Sequence, residues 1–408
     1  MPSSLGRKIA VTGWGCVSAL GPDTRSTWTR LIKSEFARAP ITVFPTDGCR
    51  VTEGAEAHLP ALPQLSDKSL SRLSRASRLA LPAAQEALAH AGLLNSNTRC
   101  SLPRLEMSLS TTANGMELGE AFVRNVWNGP SAKLQTARVA RYQSQQQASD
   151  LQNHLGFSGP ATIVSNACSG GANSIGHAAD LIRSGLADIV LTGGYDILCE
   201  LVFVGFDSLQ SLAPEKCRPF DRTRNGLMLG EGAGFLVLES ESHAQNRGAT
   251  ILASLAGYGH STDLFHLTQP AADGAPMERA IRTALRHADL PATEIGYINA
   301  HGTGTPFNDR AEMNAFSRVF GDALPQTRLS STKAAIGHTL GAAGCIEAVF
   351  ALQTLQSGQI PPQIFTTQPE ELVASSLAQP NEHLTKNAVL TVNLGFGGSN
   401  AALVFTKP

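Results

Sequence analysis

Short β-branched runs alternate with longer helical periods along the whole chain, and several of the runs stop directly in glycine. Buried strands that turn sharply into helices read this way, so the pattern predicts an α/β fold with a mostly parallel sheet. Strands are expected at 8–13, 161–166, 187–194, 234–240, 295–302, 328–333 and 388–398, and helices at 68–92, 172–185, 276–288, 308–319 and 342–356. The text around 234–259 runs strand, polar connection, strand, with no Gly/Ser linker. The chain therefore reads as two similar halves, 1–250 and 251–408, fused into one rigid body with a site between them.

The bulk numbers exclude several classes of function. A total of 408 residues suffices for a large core, and 42% hydrophobic with 16% charged residues is ordinary for a soluble protein. Lys and Arg number 32 against 33 Asp and Glu, so no global charge favours nucleic acid or a membrane surface. The N-terminal "RKIAVTGWG" has basic residues before an apolar run. Glycines interrupt it and no A-x-A cleavage text follows, so it reads as a buried strand entering a turn and not as a signal peptide. No segment reaches about 18 uninterrupted apolar residues, which argues against membrane insertion. The seven cysteines form no CxxC pair and no cluster with histidine. Zinc ligation and a disulfide framework are both disfavoured, and the expected location is the reducing cytoplasm.

Four stretches carry the chemistry. In "IVSNACSGG", 163–171, Cys168 falls where a strand ends and a helix begins. Unpaired N–H groups and the positive end of the helix dipole would favour the thiolate there, and small following residues leave room for a carbonyl. A buried cysteine acting as a small hydrophobe is the alternative. In "NAHGTGTPFNDRAE", 299–312, His301 is placed at a strand end, with Thr303 and Thr305 offering hydroxyls to an amide-bearing ligand. In "SSTKAAIGHTLGAAG", 330–344, Lys333 and His338 precede a small-residue helix start. Either histidine alone reads as structural; the two together, with a lysine, point to a site. In "NLGFGGSN", 393–400, the glycines around Phe396 make a turn whose N–H groups could serve as oxyanion donors. "GLMLGEGAG", 226–234, precedes a strand instead of following one, so it is not a dinucleotide loop.

The order and spacing of "NACSGG", "HGTGT", "KAAIGHTLGAAG" and "NLGFGGSN" resemble the β-ketoacyl-acyl-carrier-protein synthases, the elongating condensing enzymes of the thiolase superfamily. "RKIAVTGWGCVSALG" and "RPFDRTRNGLMLGEGAGFLVLE" extend the likeness over nearly the whole chain. The resemblance implies a thiolase-like fold of two fused αβαβα halves, usually dimeric, with an identical or a chain-length-type second subunit. It implies decarboxylative Claisen condensation of a Cys168-bound acyl chain with a malonyl thioester. His301 and His338 would then hold the extender's carbonyl, and Lys333 and Glu312 would form a supporting charge pair. The amides of Cys168 and Phe396 would form the oxyanion hole, with Phe396 also gating the pocket. Thr303 and Thr305 would bind the 4'-phosphopantetheine arm, supplied by an acyl carrier protein, and no bound cofactor or metal is expected. Lys68, Arg72 and Arg75 recur at i, i+4 and i+7, which would place a basic carrier-docking stripe on one helix face.

Three stretches depart from the family text: Asn166, "STTANGMELG" at 110–119, and the apolar bulk of "YDILCELVFVGFDSLQSLAPEKCRPF". They make a specialised polyketide or polyene role a competitor of fatty acid synthesis. A degradative thiolase is disfavoured because no cysteine follows Cys345. Retention of Cys168 argues against a non-catalytic chain-length subunit or a carrier-binding scaffold. His177 reads as structural, His260 and His266 as loop residues near the tunnel, and Asp221, Arg222 and Glu231 as organisers of loops and charge.

Overall fold

The computed structural model describes residues 6–62, 64–95, 98–129 and 139–408, so the first five residues of the N-terminal stretch lie outside it. Its strands are β1 (Ile9–Ser18), β2 (Ala39–Pro40), β3 (Glu53–Gly54), β4 (Glu106–Ser110), β5 (Ala161–Val164) and β6 (Ile189–Asp196). They continue as β7 (Gly232–Ser240), β8 (Ala253–Thr262), β9 (Ile295–Asn299), β10 (Arg328–Ser330), β11 (Ala388–Leu394) and β12 (Ser399–Thr406). Ten of them form one sheet in the order β10-β9-β11-β12-β8-β1-β7-β6-β4-β5; β2 and β3 pair separately. If the strands on either side of the β1–β8 junction are lettered a to e in chain order, both sets run c-b-d-e-a from the outer edge inward. The fold is therefore a duplication, joined where Ala10 and Val11 pair with Ser254 and Ala253.

The sheet is mixed and not mostly parallel. β4 runs parallel to β5 and β6, and β9 runs parallel to β10 and β11, whereas the central pairings are antiparallel. The cause is local at one point: only four residues link β11 to β12, and a link that short permits only a hairpin.

Two helices lie between the halves. Gly170–Arg183 and Ala343–Ser357 pack on each other and on strands of both sides. Twelve of the 15 residues of the second are buried, Cys345 to Leu352 without a break, so this helix is apolar all round because it faces protein on every side. Arg75–His90 covers the outer face at β1 and β7, and Ala275–Ala288 covers β8 and β12. Helix, half-sheet, helix, half-sheet and helix give the layering of the thiolase fold.

The expected helix 68–92 is two helices, Asp67–Leu70 and Arg75–His90. Ser74 divides them: its side chain accepts the N–H of Ser77 and caps the longer helix. The stripe of Lys68, Arg72 and Arg75 is therefore not one helix face. Arg75 is also not free to dock a carrier, because its guanidinium is ion-paired with buried Glu231 and donates to the Ala57 carbonyl at 2.8 Å.

Candidate active site

β5 delivers its chain into a tight turn, Ala167–Ser169, and the central helix Gly170–Arg183 starts immediately afterwards. Ala167 adopts φ +57°, a left-handed conformation that costs a non-glycine residue on the order of 1 kcal/mol or more. The turn aims Cys168 at the floor of a cleft of about 500 Å³. His301 follows β9 by two residues, and its N–H donates to Glu312 of the helix Pro306–Phe320 at 2.8 Å. The Gly302 N–H donates to the other oxygen of that carboxylate at 2.6 Å. His338 stands between the short helix Lys333–Ile336 and the central helix Ala343–Ser357. Its N–H donates to the Met228 carbonyl at 2.6 Å, and its carbonyl accepts the Gly230 N–H at 3.1 Å. The glycine-rich 226–234 text is thus a rest for the His338 loop.

The three side chains converge. One ligand-type atom each from Cys168, His301 and His338 lies within 4.8 Å of the other two. The imidazole centroids are 5.2 Å apart with ring planes at 89°. Buried polar groups ordinarily find partners, yet Nδ1 of His301 and both ring nitrogens of His338 have none. Burial and the Lys333 charge hold both histidines well below the ordinary imidazole range, so both are neutral at pH 7. Unpaired neutral imidazoles beside a thiol are ready to donate to an incoming oxygen.

The Cys168 thiol departs from expectation. Burial pushes it up to about 11, and this outweighs the downward pull of Lys333 and of the Phe396 and Cys168 N–H groups. Reasoning from the helix end alone weighs local dipoles and omits the cost of removing a thiolate from water. Cys168 therefore rests as a thiol, and its proton would have to leave before the sulfur could attack a carbonyl. The same amides, those of Phe396 and Cys168, contact the sulfur, so two donors converge beside the place where a thioester carbonyl would sit.

Lys333 pairs with Glu347 and not with Glu312. Glu347 comes from the central helix Ala343–Ser357 and also accepts from the Asn393 amide at 2.6 Å. Glu312 instead organises the His301 backbone, and burial beside Asp309 pushes its carboxyl up to about 8. Glu347 escaped the sequence reading although it is the only charged residue in "GAAGCIEAVFALQ", which was its signal. Asp196 escaped too. It accepts from Thr111, Thr112, Ala113 and Gly341, and so ties the loop after β4 to the loop carrying His338.

Thr303 and Thr305 line the cleft with their hydroxyl oxygens 2.8 Å apart. Phe396 sits at the cleft wall and stacks on Phe206, centroids 5.6 Å apart. His266 lines the cleft, whereas His260 belongs to β8 and stacks on Tyr258. His177 contacts Ser108 at 3.1 Å, far from any cavity chemistry. Asp221 accepts from Thr223, Thr367 and Gln368, Arg222 pairs with Glu371, and Glu231 with Arg75. Lys68, in the helix Asp67–Leu70, and Arg72, in the turn after it, are both exposed.

A thiol and two imidazoles drawn from the two halves of a thiolase fold define a condensing enzyme. Comparison with known proteins agrees: the β-ketoacyl synthase N-terminal domain model matches residues 6–244, and the C-terminal domain model matches residues 252–367. The chain is 36% identical to nodulation protein E of Rhizobium meliloti strain 1021, over 98% of this chain and 99% of that one. It is 33% identical to 3-oxoacyl-[acyl-carrier-protein] synthase 2 of Staphylococcus aureus strain COL, over 99% of each. Among solved structures, the ishigamide ketosynthase/chain length factor superposes with a TM-score of 0.90 at 30% identity, covering 99% of this chain and 100% of that one. A ketosynthase in complex with its chain length factor from Xenorhabdus doucetiae gives 0.82 at 30% identity, covering 100% and 99%. The chain belongs to the β-ketoacyl synthase family. It is an acyltransferase that elongates a thioester-bound acyl chain by condensation in fatty acid or polyketide synthesis.

Proposed function

We propose that Cys168 carries the growing acyl chain and that His301 and His338 stabilise the extender as it loses carbon dioxide. The Cys168 sulfur attacks the thioester carbonyl of an acyl carrier; the carrier thiol leaves with the proton, and a new thioester forms on Cys168. A malonyl thioester then enters, with its carbonyl oxygen among the unpaired imidazole nitrogens. The bond to the carboxylate breaks, carbon dioxide departs, and the electron pair becomes an enolate whose oxygen accepts the imidazole N–H bonds. Its carbon attacks the Cys168 thioester, and the amides of Phe396 and Cys168 hold the oxyanion until the sulfur leaves as thiolate and takes a proton from water, restoring the thiol. Thr303 and Thr305 offer hydroxyls to the phosphopantetheine arm, and Phe396 gates the entrance.

The observation that carries this reading is the set of unpartnered imidazole nitrogens beside a thiol at the base of a cleft. Incubation with an acyl-carrier thioester, followed by peptide mass spectrometry, should find the acyl mass on Cys168 and nowhere else. Acylation of a Cys168→Ala variant would end the assignment. We place the reaction in the cytoplasm, where the seven unpaired cysteines stay reduced.

The proposed assembly is a dimer with an identical or chain-length-type second subunit. β5 is the outer strand of the sheet and leaves one edge unpaired. Val123 and Trp127 of the helix Met116–Asn128 and Leu201 of the helix Glu200–Ser208 add exposed apolar surface, and these two helices touch. Light scattering of the purified chain distinguishes a self-paired dimer from a subunit awaiting another partner. The apolar bulk at 195–220 favours a specialised polyketide or polyene product.

A further inference from the structure

Asn166, where this chain departs from the family text just ahead of the nucleophile, is tied across the seam between the halves. Its Nδ2 donates to the Ser399 Oγ at 3.1 Å. Ser399 opens β12 and stands a short step beyond Phe396 on the same turn. The Ser399 oxygen accepts a second amide, from Asn173 Nδ2 at 3.2 Å. Asn173 lies on the central helix Gly170–Arg183, and the other hydrogen of its Nδ2 goes to the Ser169 Oγ at 3.3 Å. Its Oδ1 accepts the Tyr258 hydroxyl at 2.8 Å, which fixes the orientation of the amide. The Ser169 hydroxyl closes the circuit by donating to the Asn166 carbonyl at 3.3 Å.

This ring of hydrogen bonds encloses the segment that needs it. Ala167 and Cys168 lie in the chain between Asn166 and Ser169, and Ala167 holds a left-handed φ of +57°. Such a conformation persists only where its surroundings over-determine it. On the opposite side of the ring, the Gly395 N–H donates to the Ser399 carbonyl at 2.7 Å, so Ser399 is part of the turn that carries Phe396. The two turns are in close contact. A Cβ built on Gly395 would stand 3.1 Å from the Ser169 Oγ, 3.2 Å from the Asn166 carbonyl and 3.3 Å from the Cys168 nitrogen. The Cys168 amide sits on the first-half side of this contact and the Phe396 amide on the second-half side.

We propose that Asn166, Asn173 and Ser399 are positioning residues whose hydrogen-bond ring keeps the Cys168 and Phe396 amides in register, so that both meet one thioester carbonyl. The inference rests on the reading of Cys168 above. Two donors on separate halves stabilise an oxyanion only when their spacing is set in advance, and a displacement of about 1 Å is worth on the order of a hundredfold in rate. None of the ring's hydrogen bonds involves His301 or His338. The ring therefore serves acyl transfer and not decarboxylation.

The test separates those two steps. Acylation of Cys168 by a small thioester is followed by mass spectrometry, and malonyl decarboxylation is followed in the Cys168→Gln background. Ser399→Ala should lower the maximal acylation rate about 10–100-fold with little change in KM. Ser399→Thr, which keeps the hydroxyl, should return it to within threefold of wild type. Asn166→Ala should lower the rate at least fivefold, and adding it to Ser399→Ala should cost less than a further twofold, because both open the same ring. Either alanine change added to Cys168→Gln should leave decarboxylation within twofold. Acylation within twofold of wild type in the alanine variants, losses that multiply in the double variant, or an equal fall in acylation and decarboxylation overturns the proposal. Failure of the small thioester to acylate Cys168 in the wild-type enzyme would instead overturn the reading beneath it.

Discussion

Both imidazoles hold their neutral form because burial and Lys333 disfavour a second charge, and this has a measurable sign. A histidine whose folded pKa lies below its unfolded value binds fewer protons when folded. Its contribution to stability is complete above about pH 6.5 and declines as pH falls toward the folded pKa, by up to about 1.4 kcal/mol per unit per histidine. Malonyl decarboxylation by a Cys168→Gln variant should therefore stay flat from pH 8 through 6.5; an acid limb at 6.5 in a stopped-flow carbon dioxide assay would contradict the neutral pair. In the same assay His338→Ala should lose on the order of 10²–10³-fold, the effect of removing one oxyanion donor. Lys333 and Glu347 are both fully enclosed, so removing either alone leaves an unpaired buried charge. Glu347→Leu should cost about 3–5 kcal/mol in a denaturant titration, and Lys333→Met added to it should recover a large part. At this scale the text singled out Cys168 and both histidines from the glycine-rich stretch that follows each one, and the structure brings the three side chains together. It did not disclose the Glu347 partner or the direction of the Cys168 shift, since an ion pair across elements and the cost of burial are properties of three-dimensional surroundings.

The two central helices set the distance between sulfur and rings. Gly171 lies in the first turn of one and Ala343 opens the other, and a Cβ built on Gly171 would stand 2.7 Å from the Cys345 nitrogen, a backbone atom that cannot step aside. Gly171→Ala should force the helix starts apart. The expected result is a loss of about 1–3 kcal/mol in thermal unfolding, with a fall in kcat larger than the change in KM. Unchanged kcat in a folded variant would show that this approach does not set the geometry. Both helices were legible from their small-residue beginnings. The division at Ser74 was not, because Leu70 and Leu73 keep a helical apolar period while the capping hydroxyl breaks the backbone between them. The expected strand 388–398 runs β11 into the hairpin and leaves β12 unassigned for a similar reason: four residues leave little text between two apolar runs. β4, "EMSLS", alternates apolar and polar residues over only five positions, too few for a distinct signal.

Across the whole molecule, the proposed chemistry depends on contacts between the two halves. Cys168 belongs to the first and both imidazoles to the second, and the His338 loop rests on Met228, Gly230 and Asp196 of the first. The alternation of runs announced the α/β class, and the motif order announced the family, whereas the mixed strand directions came from connection lengths that composition does not encode. The polypeptide between Ser240 and Ala253 touches none of the reacting groups: it contains a six-residue helix, Glu241–Asn246, and a turn at Gly248. Severing the backbone at Gly248 should thus yield two inert pieces that regain condensing activity when co-expressed, held together by the apolar seam of the central helices. Turnover by either piece alone would be incompatible with a reaction centre shared between them. Such complementation would make the enzyme, in working terms, an obligate pair that happens to be translated as one chain.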